Sequence, residues 1–156
     1  MKTGLILFGH GARDPRWALT METLAGRCRT RDPALLVECA FLEFMSPDLQ
    51  EAVSTLVSAG AQHVVIAPVF LAAGGHVLRD LPDRVAGLRA TFPGLSVQIE
   101  QALGASERVI EAMAQECMDA VSMLHDRIAQ FSDPGRAPGA IGAVDEKALD
   151  DPMRFR

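Results

Sequence analysis

Apolar residues along this chain fall into two alternating rhythms. Short, nearly continuous runs occur at 4–9 (GLILFG), 35–42 (LLVECAFL), 64–71 (VVIAPVFL) and 95–99 (LSVQI), and each predicts a strand buried on both faces. Elsewhere the apolar positions are three and four apart. Leu78, Leu81, Val85, Leu88 and Phe92 form one such row, and Val109, Met113, Cys117, Val121, Leu124 and Ile128 form another, the mark of helices with one apolar face. The alternation predicts successive βα units, and hence an α/β fold with a parallel sheet covered on both faces.

Helix starts are signalled by Asp14-Pro15 and Ser46-Pro47, each a capping side chain followed by a proline that fits the first helical position. They predict helices over about 15–30 and 47–59. On the last helix, starting near Ser106, Ile110, Ala114 and Met118 add a second apolar row. The stripe is then wider than one sheet face needs, which extra core packing or a second subunit would explain. After Phe131 the sequence SDPGRAPGAIGAVDEKALDDPMRFR replaces periodicity with proline, glycine and charge. Residues 1–130 are therefore expected to form one domain and residues 131–156 a flexible tail.

Bulk properties narrow the chemistry. A chain of 156 residues suits one domain and is short for an enzyme that encloses a large substrate alone. The net charge is −5 with both signs intermixed, so there is no nucleic-acid footprint. Cys28, Cys39 and Cys117 are odd in number and show no C-x-x-C spacing, which suits reduced thiols in a cytoplasm, expected in the core. Leu5 to Phe8 is too short for a signal segment and no run approaches a membrane span, so a soluble cytoplasmic protein is expected.

The first apolar run ends in Gly9-His10-Gly11, an imidazole at a strand tip with little bulk beside it. Residues 9–14 read GHGARD and residues 75–80 read GHVLRD, so G-H-x-x-R-D occurs twice, each time between a strand and a helix. All such turns lie at the carboxyl edge of a parallel sheet, where open α/β sheets place ligands. Glu43 in AFLEFMSP falls on the same edge. If the first strand is flanked by the second and third, His10, Glu43 and His76 come from neighbours ~4.8 Å apart and can converge. Two imidazoles and a carboxylate suit a borderline divalent ion, cobalt, iron, nickel or zinc, and three protein ligands leave positions open for chemistry.

Other readings fit less well. A dinucleotide loop would want a small residue where Asp14 stands. A phosphohistidine phosphatase would want arginine where Gly9 stands. No G-x-S-x-G elbow is present, and Ser46 serves better as a cap. His63 is expected at the amino edge and His125 on the last helix, both at the surface.

Together LILFGHGARDP, FLEFMSPDLQEAV and VVIAPVFLAAGGHVLRDLP resemble the small single-domain CbiX-type chelatases and the related sirohydrochlorin ferrochelatases, over about residues 3–130. The resemblance implies the class II chelatase fold, a four-stranded parallel sheet in order 2-1-3-4 flanked by helices, with short chains pairing as homodimers. It implies insertion of Co2+ into sirohydrochlorin in cobalamin biosynthesis, with Fe2+ (siroheme) or Ni2+ as alternatives, the metal being substrate rather than a tightly bound cofactor. It further implies that His10 and His76 hold the metal and that His10 accepts protons. Glu43 and the segment Leu71, Ala72, Ala73, Gly74, Gly75 and His76 would contact the tetrapyrrole or the metal.

The residues themselves fit that task. Insertion must remove two pyrrole protons without trapping the ion, and an imidazole titrating near neutrality beside a carboxylate can accept them. Sirohydrochlorin carries eight carboxylates, so an acidic protein must offer local cations. Arg13, Arg16, Arg79 and Arg84 follow the two histidine loops, Arg13 and Arg79 at matching positions, and are suited to bidentate carboxylate recognition. Gly74-Gly75 lets backbone approach a flat ring, and Trp17 or Phe44 could supply an apolar wall, although Trp17 is expected in the core. A metal or tetrapyrrole carrier, and more remotely a metal-dependent hydrolase, remain as alternatives.

Overall fold

Each apolar run is drawn into one parallel sheet. The computed structural model describes residues 2–71 and 76–131, with the side chains of 76–80 and 129–131 outside that description. The expected tail therefore lies outside the described residues. Strands β1 (Lys2–Gly9), β2 (Leu36–Phe41), β3 (Ala61–Pro68) and β4 (Ser96–Ile99) alternate with helices α1 (Trp17–Arg31), α2 (Leu49–Ser58), α3 (His76–Thr91) and α4 (Glu107–Phe131). The strand order is β2-β1-β3-β4, the expected 2-1-3-4. The chain divides into two units, Met1–Ala112 with the sheet and α1 to α3, and Met113–Arg156 with most of α4.

Side-chain alternation on β1 sorts the core into two layers. Ile6 and Phe8 point to one face, where they pack with Val53 and Leu56 of α2 and Leu81, Val85 and Leu88 of α3. Leu7 points to the other with Val37, Cys39 and Phe41, against Met21 and Ala25 of α1. A strand buried on both faces must be apolar at consecutive positions, which is why β1 reads as an unbroken run.

Three local expectations are corrected. Asp14-Pro15 does not start α1: Asp14 heads a turn, with its carbonyl accepting from Trp17 N at 3.1 Å, and the helix begins at Trp17. Ser46 does not cap α2. Asp48 does, accepting from Glu51 N while Glu51 accepts from Asp48 N, a reciprocal box that satisfies two otherwise unpaired donors. Strand β3 lies three residues earlier than its apolar run because the residues before Val64, of which Gln62 and His63 are polar and exposed, include two that already pair with β1, Lys2 with Ala61 and Thr3 with His63. It stops at Pro68, which has no N–H for the ladder.

His63 and His125 are exposed, as expected. Of the cysteines, Cys39 is buried, Cys28 half-buried and Cys117 exposed, so only Cys39 is fully a core residue. Trp17 is half-exposed rather than buried, its ring edge-on to Phe41 at 6.4 Å. Along α4, Ile110, Met118, Val121, Leu124 and Ile128 are exposed. Among the described residues no helix is long and apolar enough to cross a membrane.

Candidate functional site

The carboxyl ends of β1 and β2 are clasped together beyond the sheet. The ladder ends with Gly9 beside Phe41, and the pairing continues through Leu42 N to Gly9 O at 2.9 Å and Glu43 N to His10 O at 3.0 Å. His10 and Glu43 thus leave adjacent strands at the same level. Nδ1 of His10 lies 3.4 Å from Oε1 of Glu43, with the side chains 45% and 47% exposed.

Gly11 makes this clasp possible. Its φ is +87°, and a Cβ there would lie 2.0 Å from the Glu43 carbonyl oxygen. Only glycine accepts both that conformation and that approach. Gly9 is less tightly constrained: a Cβ there would meet the side chains of Trp17 and Met21 at 3.1 Å, which would have to shift by a few tenths of an ångström.

With Nδ1 turned toward the carboxylate, Nε2 is the ring nitrogen left for a metal or a proton, the arrangement in which a carboxylate fixes the orientation of an imidazole. Both groups keep contact with water, which favours exchange over retention of an ion. Among the described residues no three histidine, cysteine or acidic side chains are grouped to hold a metal. The described site provides two of the three expected ligands. Helix α3 starts at the third, His76, whose side chain lies outside the described residues, as do Ala72, Ala73, Gly74, Gly75 and the side chain of Arg79.

Leu71 is 70% exposed at the end of the described part of that segment. Gly104 holds it from below: its N–H donates to Phe70 O at 2.9 Å, and a Cβ on Gly104 would lie 1.9 Å from Leu71 O. The sequence singles this glycine out only by its place in the short turn Leu103–Ala105 between β4 and α4.

The arginines divide. Arg16 is committed to Asp14, its guanidinium nitrogens 2.8–3.1 Å from both carboxylate oxygens. Those hydrogen bonds, with one from Arg16 N, hold the Asp14 carboxyl below its usual range. Arg84 lines a groove between α2 and α3 with Asp48, Leu49 and Thr91, of which His10 and Glu43 are not walls. Arg13 is exposed and sits over the ring of Phe44, 5.4 Å from its centroid. Glu100, the acidic residue closing β4, is exposed and accepts from Gln98.

The CbiX family model matches residues 4–120. The chain belongs to the CbiX family. A protein named sirohydrochlorin cobaltochelatase from Sulfolobus acidocaldarius is 30% identical over 120 residues, 77% of this chain and 94% of its own length. One named sirohydrochlorin ferrochelatase from Arabidopsis thaliana, chloroplastic, is 30% identical over 121 residues, 76% of this chain and 54% of its own. The chain spans about half or less of the longer relatives from Priestia megaterium and Bacillus subtilis. Among solved structures, a cobalamin (vitamin B12) biosynthesis CbiX protein from Marinobacter aquaeolei superposes with a TM-score of 0.68 at 26% identity, covering 78% of this chain and 98% of that one.

Proposed function

We propose that this CbiX-family chain is a sirohydrochlorin chelatase that inserts Co2+ in a route to cobalamin. The observation that carries the reading is the half-exposed His10–Glu43 pair at the carboxyl edge of the sheet, in a chain whose full-length relative is named a cobaltochelatase. In this reading the ion is held by His10, Glu43 and His76, and Nε2 of His10 takes a pyrrole proton as the metal passes to the ring nitrogens. Glu43 balances the charge of the imidazolium that forms. The segment from Leu71 to His76 lies along the macrocycle, and Arg13 and Arg79 receive its carboxylates. Insertion of Fe2+ is the second reading, favoured by the ferrochelatase name of the plant relative.

The working form is a homodimer in the cytoplasm. Its support is the apolar stripe of α4, where Val121, Leu124 and Ile128 are exposed and lie beyond the last residue matched by the family model. A second copy would cover them.

The deciding experiment follows the visible spectrum of sirohydrochlorin with Co2+, with and without protein. Wild type should raise the rate well above the protein-free control. Replacing His10 by alanine should remove about 10²–10⁴-fold of the rate, without rescue by excess metal. Replacing His76 should mainly raise the metal concentration needed. Binding of sirohydrochlorin without faster insertion would make the protein a carrier instead.

A further inference from the structure

Phe44 is the one described residue other than glycine with a positive φ, +65°, and the residue is 58% exposed. Both features are unfavourable for a phenylalanine. A Cβ disfavours the left-handed region, and an exposed ring forgoes burial. Nothing in the hydrophobic core compensates, since Phe44 belongs to neither cluster. Strain of this kind is a reason to look for a task.

The ring has one described partner, the guanidinium of Arg13, within the ~6 Å at which a cation is attracted to an aromatic face. Arg13 stands three residues after His10, and Phe44 directly follows Glu43. The clasp that pairs His10 with Glu43 therefore also fixes Arg13 against Phe44. Unlike Arg16, Arg13 makes no ion pair among the described residues. A guanidinium stacked on a ring keeps its edge N–H donors available, and its planar fork matches a carboxylate.

We propose that Arg13 and Phe44 form a carboxylate-recognition element, in which Phe44 positions the Arg13 fork to bind a peripheral carboxylate of a flat, polyanionic macrocycle. The left-handed turn at Phe44 brings the ring beneath the guanidinium. Beside Glu43 and on a chain of net charge −5, this cation offsets repulsion at the point where the ring must approach the metal-transferring pair. The element rests on the proposed chelatase reading and adds to it a specificity-determining pair, with Arg13 touching substrate and Phe44 acting through it.

The test titrates metal-free sirohydrochlorin into the full chain, read by its fluorescence, alongside steady-state insertion kinetics. Arg13→Ala should weaken binding about 10–100-fold, the range for a lost charge-assisted hydrogen bond pair, and raise KM with kcat little changed. Arg13→Lys should recover only part of it. Phe44→Tyr should retain affinity, Phe44→Leu should lose several-fold, and Phe44→Gly should lose as much while unfolding at a higher temperature, because glycine relieves the backbone. Arg27→Ala, removing an exposed cation on α1, should stay within twofold and exclude an effect of net charge. The proposal is overturned if Arg13→Ala binds within twofold of wild type, if Phe44→Leu matches Phe44→Tyr, or if the loss falls in kcat alone. Wild-type protein that binds no sirohydrochlorin overturns the chelatase reading and this one with it.

Discussion

Replacing Gly11 by alanine should unfasten the clasp that brings His10 to Glu43. Two costs add. At φ +87° a residue with a Cβ loses about 1–2 kcal/mol relative to its preferred regions. The new Cβ would also stand 2.0 Å from the Glu43 carbonyl oxygen, so one loop must retreat by roughly 1.5 Å to reach an ordinary ~3.5 Å contact. That oxygen is backbone, and the hydrogen bond from Glu43 N to His10 O ties the two loops on its other side. Forced repacking of this kind costs about 1–3 kcal/mol. Against these stands a gain of about 0.4–1 kcal/mol from a stiffer unfolded chain. The net expectation is a loss of about 1–4.6 kcal/mol, or a melting temperature lower by about 2–18 °C for a chain of this size. Urea denaturation followed by circular dichroism measures it. Gly26→Ala is the internal control, because Gly26 is inside α1 with nothing within 4 Å of a built Cβ, and it should gain about 0.5–1 kcal/mol. A Gly11→Ala protein within about 0.5 kcal/mol of wild type would refute the clasp as the reason for that glycine.

The thiols should separate by reactivity. Burial, reinforced by the nearby Glu22 carboxylate, pushes the Cys39 thiol up to about 12. It should resist alkylation by iodoacetamide up to about pH 9 in the folded protein and react only on unfolding. Mass mapping of labelled peptides that finds Cys39 modified in the folded protein as fast as in the unfolded chain would overturn the assignment. For α4, light scattering at micromolar concentration should give about twice the 16.8 kDa of one chain. Leu124→Glu with Ile128→Glu should return that mass to one chain while circular dichroism still shows a folded protein, with a melting temperature that no longer depends on protein concentration. Wild type that is already monomeric would remove α4 as a subunit contact.

Much of the architecture was legible because burial on both faces leaves a direct trace. The apolar runs of β1 and β2 and the rows of α3 located their elements, and the glycine-flanked histidine located the edge. The ends were less legible for physical reasons. Near the start of strand β3, His63 is polar and exposed yet paired with Thr3 and Ser96, and a hydrophobic run cannot report backbone pairing. Ser46 and Asp48 are both good caps, and only the reciprocal bond from Glu51 decides between them. In FMSPDLQE the Asp48-x-x-Glu51 spacing was the available signal.

The site shows a sharper version of the same limit. Gly11 reads in the sequence as a small neighbour that leaves His10 uncovered, whereas the structure uses it to admit the backbone of a second loop. The first copy of G-H-x-x-R-D is likewise not used as a unit. Its Asp14 turns to Arg16, which joins no motif, and its Arg13 turns to Phe44 on another loop. Arginine and aspartate that are adjacent in sequence thus serve opposite ends, one neutralised within its own turn and one kept available. In the proposed chelatase, where a polyanion must approach a carboxylate, that division has a physical use: had Asp14 paired with Arg13 instead, the loop after His10 would present a neutral pair beside Glu43.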